Sequence, residues 1–452
     1  MHHFLASFSA TDFLQMLADH WISEFRDLGD WPRGTFESIA EYIDLFPLVV
    51  CLIWSIYGVI CLLGSFRRKR IPPTLPSYSV IIPFYSEPAG ALKSAQSLAE
   101  VDPPPEEILL VDDGSPDAEE CAHVLRAAVL PARARLVRLP RNVGKAAALN
   151  AALREVRAEI VVCLDADTVV QTKSWHRMLA RFAHAPGVGG VTGKIWPRQP
   201  HSLVEMMQTL DYLAVIGLVK NAENRWGGLM TVSGAWVAFR RQALLDIGCW
   251  NEETAAEDID LSWRMQAAGW RMLYDRTWIA FVEMVPTWRA LWRQRRRWSR
   301  GLGHAVRDHF PDALRSGATH LPVALMTLLG ASWLWASLTV GLIRLGVIAK
   351  HLLRGQTVAH PAIFSRALVY VGICLAFFLL QLVIATLLDR ARWSVYPKLF
   401  LLAPFYTFYF WAISLTTFVV GFPEGFLRRD RGRWRRTVRS AELLTGAHAE
   451  LQ

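Results

Sequence analysis

Four short stretches of this chain gather groups that could do chemistry on an anionic substrate. "LLVDDGS" places Asp112 and Asp113 behind an apolar run, and "VVCLDADT" places Asp165 and Asp167 one residue apart behind another. "AAEDIDLSW" sets Glu257, Asp258 and Asp260 together, and "RQRRRW", from Arg293 to Trp298, joins four arginines to a tryptophan. Two carboxylates one residue apart suit a hard divalent cation that keeps some waters and bridges phosphate oxygens. Arginines nearby offer forked donors to the same oxygens. Lys145 follows Gly144 at the expected start of a helix, where an ammonium and the amide dipoles would attract the same anion.

Each stretch also has a plainer reading. An Asp-Asp-Gly after a strand makes a turn, and acids at a helix start answer the macrodipole. A lysine can open a helix without touching a ligand, and arginines beside an apolar segment face anionic lipid. Asp258 as a general base is the functional reading of the third stretch.

The elements around these residues narrow the choice. Apolar runs alternate with helix-like segments: "YSVIIPFYSE", "EEILLVDDGSPD", "ARLVRLP", the helical "NVGKAAALNAALREV", then "EIVVCLDADTVV". That order predicts βαβ units in an α/β domain, a mainly parallel sheet with helices on both faces. Ligands of such sheets sit at the carboxyl ends of the strands, where Asp113, Asp165 and Asp167 fall.

The rest of the chain reads as membrane. Of 452 residues 52% are hydrophobic and mean hydropathy is +0.22, which is high for a wholly soluble protein. Uncharged stretches of spanning length run over Phe46–Gly64, Leu321–Ile343, Ala367–Leu388 and Leu399–Pro423. They imply an N-terminal segment 1–45, a span at 46–66, a globular domain at 77–315, C-terminal spans within 321–423 and a basic tail at 424–452. Arg67, Arg68, Lys69 and Arg70 put the globular domain in the cytoplasm. The arginines from Arg428 to Arg436 ask for a cytoplasmic tail, which conflicts with three further spans unless one segment, such as that holding Pro404, is a hairpin or interfacial. Phe13, Leu17, Trp21 and Phe25 recur every fourth residue, as in an amphipathic helix on a membrane, a partner or the protein's own spans. Six cysteines without a CxxC pair indicate neither zinc nor a disulfide framework. The net charge of +9 fits topology plus an anionic substrate, and no nucleic-acid-binding motif is present.

Asp113, Asp165-Ala-Asp167, Glu257-Asp258 and Gln294-Arg-Arg-Arg297-Trp298, in this order, resemble the D, DxD, (T/E)D and QxxRW stations of the processive, membrane-embedded members of glycosyltransferase family two. Within it, "VTGK", "IGLVK", "TVSGAWVAFRRQALLDIGCW", "EDIDLSW" and "LWRQRRRW" look most like the bacterial poly-β-1,6-N-acetylglucosamine synthases of biofilm exopolysaccharide. One position departs: Ala256 stands where the family commonly has threonine.

The resemblance implies a GT-A domain inserted between transmembrane helices of the bacterial inner membrane, using UDP-GlcNAc and Mg2+ or Mn2+. Asp113 would accept from uracil or ribose, and Lys145 and Asp165 would lie by the nucleotide sugar. Asp167 would hold the metal, and Glu257 would line the site. Asp258 would take the acceptor's proton, giving inversion. Gln294, Arg297 and Trp298 would meet the diphosphate and the growing chain, and Arg293, Arg295 and Arg296 would face anionic lipid. Ser233, Gly234 and Trp236 form either the acceptor pocket or a structural turn. Membrane lipid, a small membrane partner subunit, control by cyclic di-GMP and export of the polymer complete the expectation. Alternatives are another family-two synthase (hyaluronan-, cellulose- or chitin-like), a non-processive transferase acting on a lipid carrier, and a non-enzymatic membrane scaffold.

Overall fold

The computed structural model describes residues 49–63, 71–316, 321–355, 361–388 and 396–428, apart from positions 51, 54, 128, 129, 132, 199 and 227. The N-terminal aromatic stripe, the basic run at 67–70 and the tail beyond Arg428 lie outside the described residues.

Eight strands form one sheet in the order β3-β2-β1-β4-β7-β6-β8-β5. They are β1 (Tyr78–Phe84), β2 (Ile108–Asp112), β3 (Ala134–Arg138), β4 (Ile160–Leu164), β5 (Thr168–Val170), β6 (Val188–Pro197), β7 (Trp236–Arg240) and β8 (Arg271–Val282). β1 and β2 are buried at every position, so their side chains alternate between two cores. Val80, Ile82 and Phe84 join Ala91 and Ala95 of α1 (Pro88–Gln96) on one face, where α4 (Trp175–His184) adds Trp175, Met178 and Phe182. Ile81, Leu109 and Val111 face the other way, onto Leu149 and Leu153 of α3 (Lys145–Glu155) and Leu261 and Met265 of α8 (Glu257–Ala267). Between α1 and α3 in the chain lies α2 (Ala118–Ala127).

Helices cover both faces, as expected, but the sheet is mixed. β3, β2, β1 and β4 run parallel and β6 is parallel to β8, whereas β7 is antiparallel to both of its neighbours and β5 to β8. The reason lies in the chain just before β7. Residues 233–235 sit at the carboxyl end of β4, with Leu164 paired to Trp236, so a strand that starts there must run back down the sheet.

A helical excursion separates β6 from β7: α5 (Leu203–Leu210), a π-helical segment Asp211–Gly217 and α6 (Leu218–Trp226). After β7 comes α7 (Arg241–Asp246), and beyond β8 the long α9 (Trp288–Ser316) carries the arginine run. The three C-terminal apolar stretches fall on α10 (Leu321–Leu353), α11 (Pro361–Leu388) and a helix built from α12 (Tyr396–Phe410), a π-helical segment Trp411–Leu415 and α13 (Thr416–Leu427). Among the described residues, Phe408–Leu427 is long and apolar enough to cross a membrane, at mean hydropathy 1.4, and Leu375–Leu388 is a shorter apolar helix. Two compact units emerge, one within Met1–Ile60 and Met326–Ile384, the other within Cys61–Leu325 and Ala385–Gln452.

In the second unit α9 lies directly on α13, and glycines set their separation. A methyl group at Gly425 would overlap the Arg300 carbonyl, one at Gly421 would lie 2.5 Å from the Arg296 carbonyl, and one at Gly303 would strike Phe422. Polar contacts fasten the same crossing. Arg296 Nε donates to Glu424 Oε2 at 3.1 Å, and Arg307 Nη1 donates to the Gly425 carbonyl at 3.1 Å. His304 Nε2 lies 2.9 Å from the Arg428 carbonyl, so the open end of α13 has partners for its last carbonyls. Arg296 is therefore spent inside the protein, and the lipid-facing role expected for it gives way to helix docking.

A Gly425→Ala substitution should force the two helices apart, costing about 1–3 kcal/mol as an overpacked contact does. A fall in melting temperature of the detergent-solubilised chain checks this; an unchanged melting temperature would mean that the crossing is looser than the backbone contact implies.

Candidate active site

The site is assembled at the carboxyl ends of β2 and β4. The two aspartates after β2 divide their work. Asp112 makes the turn, its Oδ1 accepting from Ser115 N at 2.9 Å and Ser115 Oγ at 2.6 Å. Asp113 is fully buried and clamps the loop before α3, accepting from Val143 N and Gly144 N at 2.9 Å each. Burial pushes its pKa up, and the two backbone donors pull against that. Asp113 thus fixes the residue after Gly144, which is Lys145.

Lys145 is the hub. Its Nζ lies 2.6 Å from Asp165 Oδ1 and 3.0 Å from Glu257 Oε1, both ion pairs, and donates to the Gly234 carbonyl at 3.3 Å. Burial works against the ammonium, but Asp165 and Glu257 outweigh it and hold it protonated. The same lysine is thus bound to the end of β4, the start of α8 and the loop before β7.

That loop is pinned on both sides. Asp165 N donates to the Ala235 carbonyl at 3.3 Å, and Ser233 N donates to Thr192 Oγ1 of β6 at 3.1 Å. From α8, Gln266 Oε1 accepts from Leu229 N at 3.0 Å, Ser262 Oγ from Val232 N at 2.9 Å, and Trp263 Nε1 donates to the Met230 carbonyl at 3.1 Å. From α6, Lys220 donates to the Thr231 carbonyl and Glu223 accepts from Met230 N at 3.2 Å, its carboxyl pushed up by burial to about 7. Gly234 consequently stands against Asp258, whose Oδ2 accepts from Gly234 N at 3.1 Å. Trp236 does not share in this opening. It is fully buried against Trp175 and Trp278, so of the two readings of Trp236 the structural one holds.

Glu257 and Asp258 occupy the first turn of α8 and are driven apart in acidity. Burial raises Glu257, but Lys145 and Arg297 overcome it and keep its pKa below the usual carboxylate value. Burial and the neighbouring Glu257 raise Asp258, against Lys145 and Arg297. Two adjacent carboxyl groups pushed in opposite directions are suited to different tasks, one a fixed charge and the other a proton acceptor. Asp165 is also raised, by burial first, with Lys145 opposing.

α9 closes the far side. Arg297 Nη1 donates to the Ala255 carbonyl at 3.3 Å, Gly301 lies on Ala256, and His304 Nδ1 accepts from Ala255 N at 3.3 Å. These three recur at helical spacing and so share one face. The Gly301 contact also explains Ala256: it is fully buried, and a larger residue there would push the helix away. Trp298 and Gln294 are half-buried on α9 beside Arg297. Arg295, expected to face lipid, points inward instead, with Nη2 donating to Asp211 Oδ2 at 3.0 Å. Only Arg293 of that trio is exposed.

Lys145, Asp165, Gly234, Glu257, Asp258 and Arg297 therefore meet, while Asp113 and Ser233 support them from behind. Asp167 is half-buried two residues from Asp165 and accepts from Thr168 Oγ1 at 3.2 Å. Among the described residues no three His, Cys, Asp or Glu side chains gather as a complete metal-binding set. Such a site suits a cation shared with a diphosphate and water rather than a structural metal. Asp211, Thr192 and His304 were not singled out from the sequence, although a lone aspartate in "LDYLAVIGL" is a signal that could have marked the first.

Residues 79–248 match the family described as glycosyl transferase family 2. The poly-beta-1,6-N-acetyl-D-glucosamine synthase of Staphylococcus epidermidis is 26% identical over 409 residues, 87% of this chain and 96% of that protein. Its namesake from Staphylococcus aureus strain MSSA476 is 34% identical over 206 residues, 45% of this chain and 49% of that one. Among solved structures, the mannosyltransferase PcManGT from Pyrobaculum calidifontis, in complex with GDP-Man and Mn2+, is similar with a TM-score of 0.55 at 21% identity, over 79% of this chain and 98% of that one. The likeness to PcManGT shows a GT-A-like fold, and residues 79–248, which carry Lys145, are similar to glycosyl transferase family 2.

Proposed function

We propose that this enzyme is a processive, inverting N-acetylglucosaminyltransferase that polymerises UDP-GlcNAc into β-1,6-linked poly-N-acetylglucosamine. The observation that carries the reading is the convergence of Asp165, Glu257 and Asp258 around Lys145 and Gly234, with Arg297 on the adjoining Ala255 carbonyl. The relatives that cover most of the chain bear the name of this synthase.

Asp258 removes the proton from the C6 hydroxyl of the acceptor sugar as that oxygen bonds to C1 of the donor. The bond from C1 to the diphosphate breaks on the opposite face, UDP departs with the electron pair, and an α-linked donor yields a β-linked product. Lys145 keeps Asp165 and Glu257 from repelling the donor, and Arg297 offers a guanidinium to the diphosphate. Asp167 would hold a Mg2+ or Mn2+ ion, which would supply positive charge to offset that gathering on UDP. Asp113 orders the loop that carries Lys145, and a contact from it to uracil or ribose belongs to this proposal through the resemblance alone. Gln294 and Trp298 receive the end of the growing chain, with Ser233 and Gly234 opposite.

The apolar helices anchor the domain at the bacterial inner membrane as a multi-pass protein with its catalytic face in the cytosol, and they would carry the polymer outward. A small membrane subunit and cyclic di-GMP control belong to this proposal through the resemblance to the synthases, and co-purification with added cyclic di-GMP tests both.

Asp258→Asn should lower kcat by about 10²- to 10⁴-fold, the usual worth of a general base, with the KM for UDP-GlcNAc and the melting temperature nearly unchanged. Retained turnover would remove Asp258 from the proton transfer. The base must be ionised to act, so activity falls as pH drops through its raised pKa. Glu257→Gln removes a negative neighbour and leaves Lys145 in place, so the acid limb of the pH–rate profile should move to lower pH; a shift upward contradicts the assignment. Sealed inverted vesicles given separate UDP-sugars test substrate and export together. Polymer from UDP-GlcNAc alone, cut only by a β-1,6-specific hydrolase and found in the lumen, is the expected product. Incorporation of glucose, or of glucuronate with GlcNAc, would replace the substrate assignment, and addition of a single sugar would replace the processive one.

A further inference from the structure

The buried ion pair between Arg295 and Asp211 has no part in the mechanism above, yet it lies against a residue that does. Asp211 is 7% exposed and opens the π-helical segment after α5. Tyr409 donates its hydroxyl to Asp211 Oδ2 at 2.7 Å, Tyr406 donates to Oδ1, and Arg295 Nη2 donates to Oδ2 at 3.0 Å. The carboxylate is thus surrounded by three donors from two other helices. The guanidinium carbon of Arg295 in turn lies 4.3 Å from the centroid of the Trp298 ring.

Burying an ion pair is weak support for stability, since desolvation offsets much of the attraction. What the cluster supplies is orientation. A guanidinium is planar and rigid; here one nitrogen is held by Asp211 while its carbon stands over the indole ring. Asp211 cannot shift without breaking two tyrosine hydrogen bonds from α12. Both π-helical segments adjoin the cluster: one begins at Asp211, and the other, Trp411–Leu415, begins two residues after Tyr409. Such segments widen a helix locally and are frequent at functional sites. Around them Trp288 lies 5.8 Å from Tyr409, and Trp292 Nε1 donates to Thr416 Oγ1 at 3.2 Å, so the first turns of α9 are held along the same line.

We infer that Arg295 is a positioning residue for the acceptor: anchored through Asp211 to Tyr406 and Tyr409, it holds the Trp298 indole in the plane on which the terminal sugar of the growing chain stacks. This rests on the reading of Trp298 as an acceptor platform. The donor side of the site is untouched by it, because Lys145, Asp165 and Glu257 have their own contacts. α12 thereby acts on the acceptor through two hydroxyl groups, an acid and a guanidinium.

The test is a double-mutant cycle in the full chain, in membranes, with Arg295→Lys and Trp298→Ala, reading the KM for the acceptor, the KM for UDP-GlcNAc and the length of the product. Lysine keeps the charge but cannot lie flat on the ring. Arg295→Lys should raise the acceptor KM by about 5- to 30-fold, the range of a partly to fully desolvated cation–π contact, and shorten the product. The KM for UDP-GlcNAc should stay within about twofold by the same reasoning, since no donor-side contact changes. In a Trp298→Ala background the arginine substitution should have little further effect. The conservative pair Tyr406→Phe and Tyr409→Phe should act in the same direction as Arg295→Lys and more weakly. An equal effect of Arg295→Lys with and without Trp298, or a matching loss of donor affinity and melting temperature, would overturn the inference and leave Arg295 as a packing residue. The wild-type product judges the functional reading separately: if the wild type adds one sugar only, polymerisation fails, and the cycle is read on whichever acceptor it extends.

Discussion

One ammonium group holds this site together. Lys145 Nζ touches Asp165, Glu257 and the Gly234 carbonyl, and these come from the end of β4, the start of α8 and the loop before β7. Without a cation there, two carboxylates with Asp258 beside them would share a buried space and repel. With it, Glu257 is held below the usual carboxylate range while Asp258 is raised, the difference that the proposed base requires. The position of the lysine follows from Asp113, which has no freedom of its own: both carboxylate oxygens hold backbone donors on the loop that ends at Gly144. A buried acid one step behind the site is thus what aims the cation within it.

The loop carrying Gly234 shows a second constraint. It has little secondary structure, yet Gln266, Ser262, Trp263, Lys220 and Glu223 each take one of its backbone groups. Buried backbone groups must find partners, and here they find them on α8 and α6 rather than in a sheet. α8 also carries Asp258, so one helix both presents that carboxyl group and holds the loop opposite it. Displacement of either would disturb the 3.1 Å contact between Asp258 and Gly234.

Much of this was legible in the chain. Apolar runs ending in acids give the strand ends, and their being apolar throughout fits strands covered by helices on both faces. The mixed sheet was not legible, because "WVAFR" is too short to reveal its direction, which is set by where residues 233–235 must stand. Nor could spacing separate Asp112 from Asp113: both follow the same strand, one caps a turn, the other clamps a distant loop, and only the partners tell them apart. Ala256 looked like a lapse from the family pattern, but with Gly301 lying on it, it reads as the small residue that lets α9 approach. The glycines at Gly303, Gly421 and Gly425 carry no such signal in the sequence, because a helix crossing is defined by two segments far apart in the chain.

The arginine run shows why a motif can hold several meanings at once. Successive residues of an α-helix point about 100° apart, so neighbours in sequence face different surroundings. Arg295 turns to Asp211 and the tyrosines of α12, Arg296 to Glu424 on α13, and Arg297 to the carbonyl of Ala255 beside the acids, while Arg293 remains exposed. A helix lying at the junction of a catalytic domain and apolar helices needs a strong polar contact on each of these sides, because each side would otherwise bury an unpaired acid or an unmet carbonyl. Runs of like charge are commonly solvated faces, and this one is not wholly so, since Arg295 and Arg296 turn inward to acids while Arg293 and Arg297 keep exposed surface. The division of the run among three partners ties the surroundings of Trp298 to the docking of the apolar helix, so that this end of the site and its attachment to α12 and α13 are held by the same few residues.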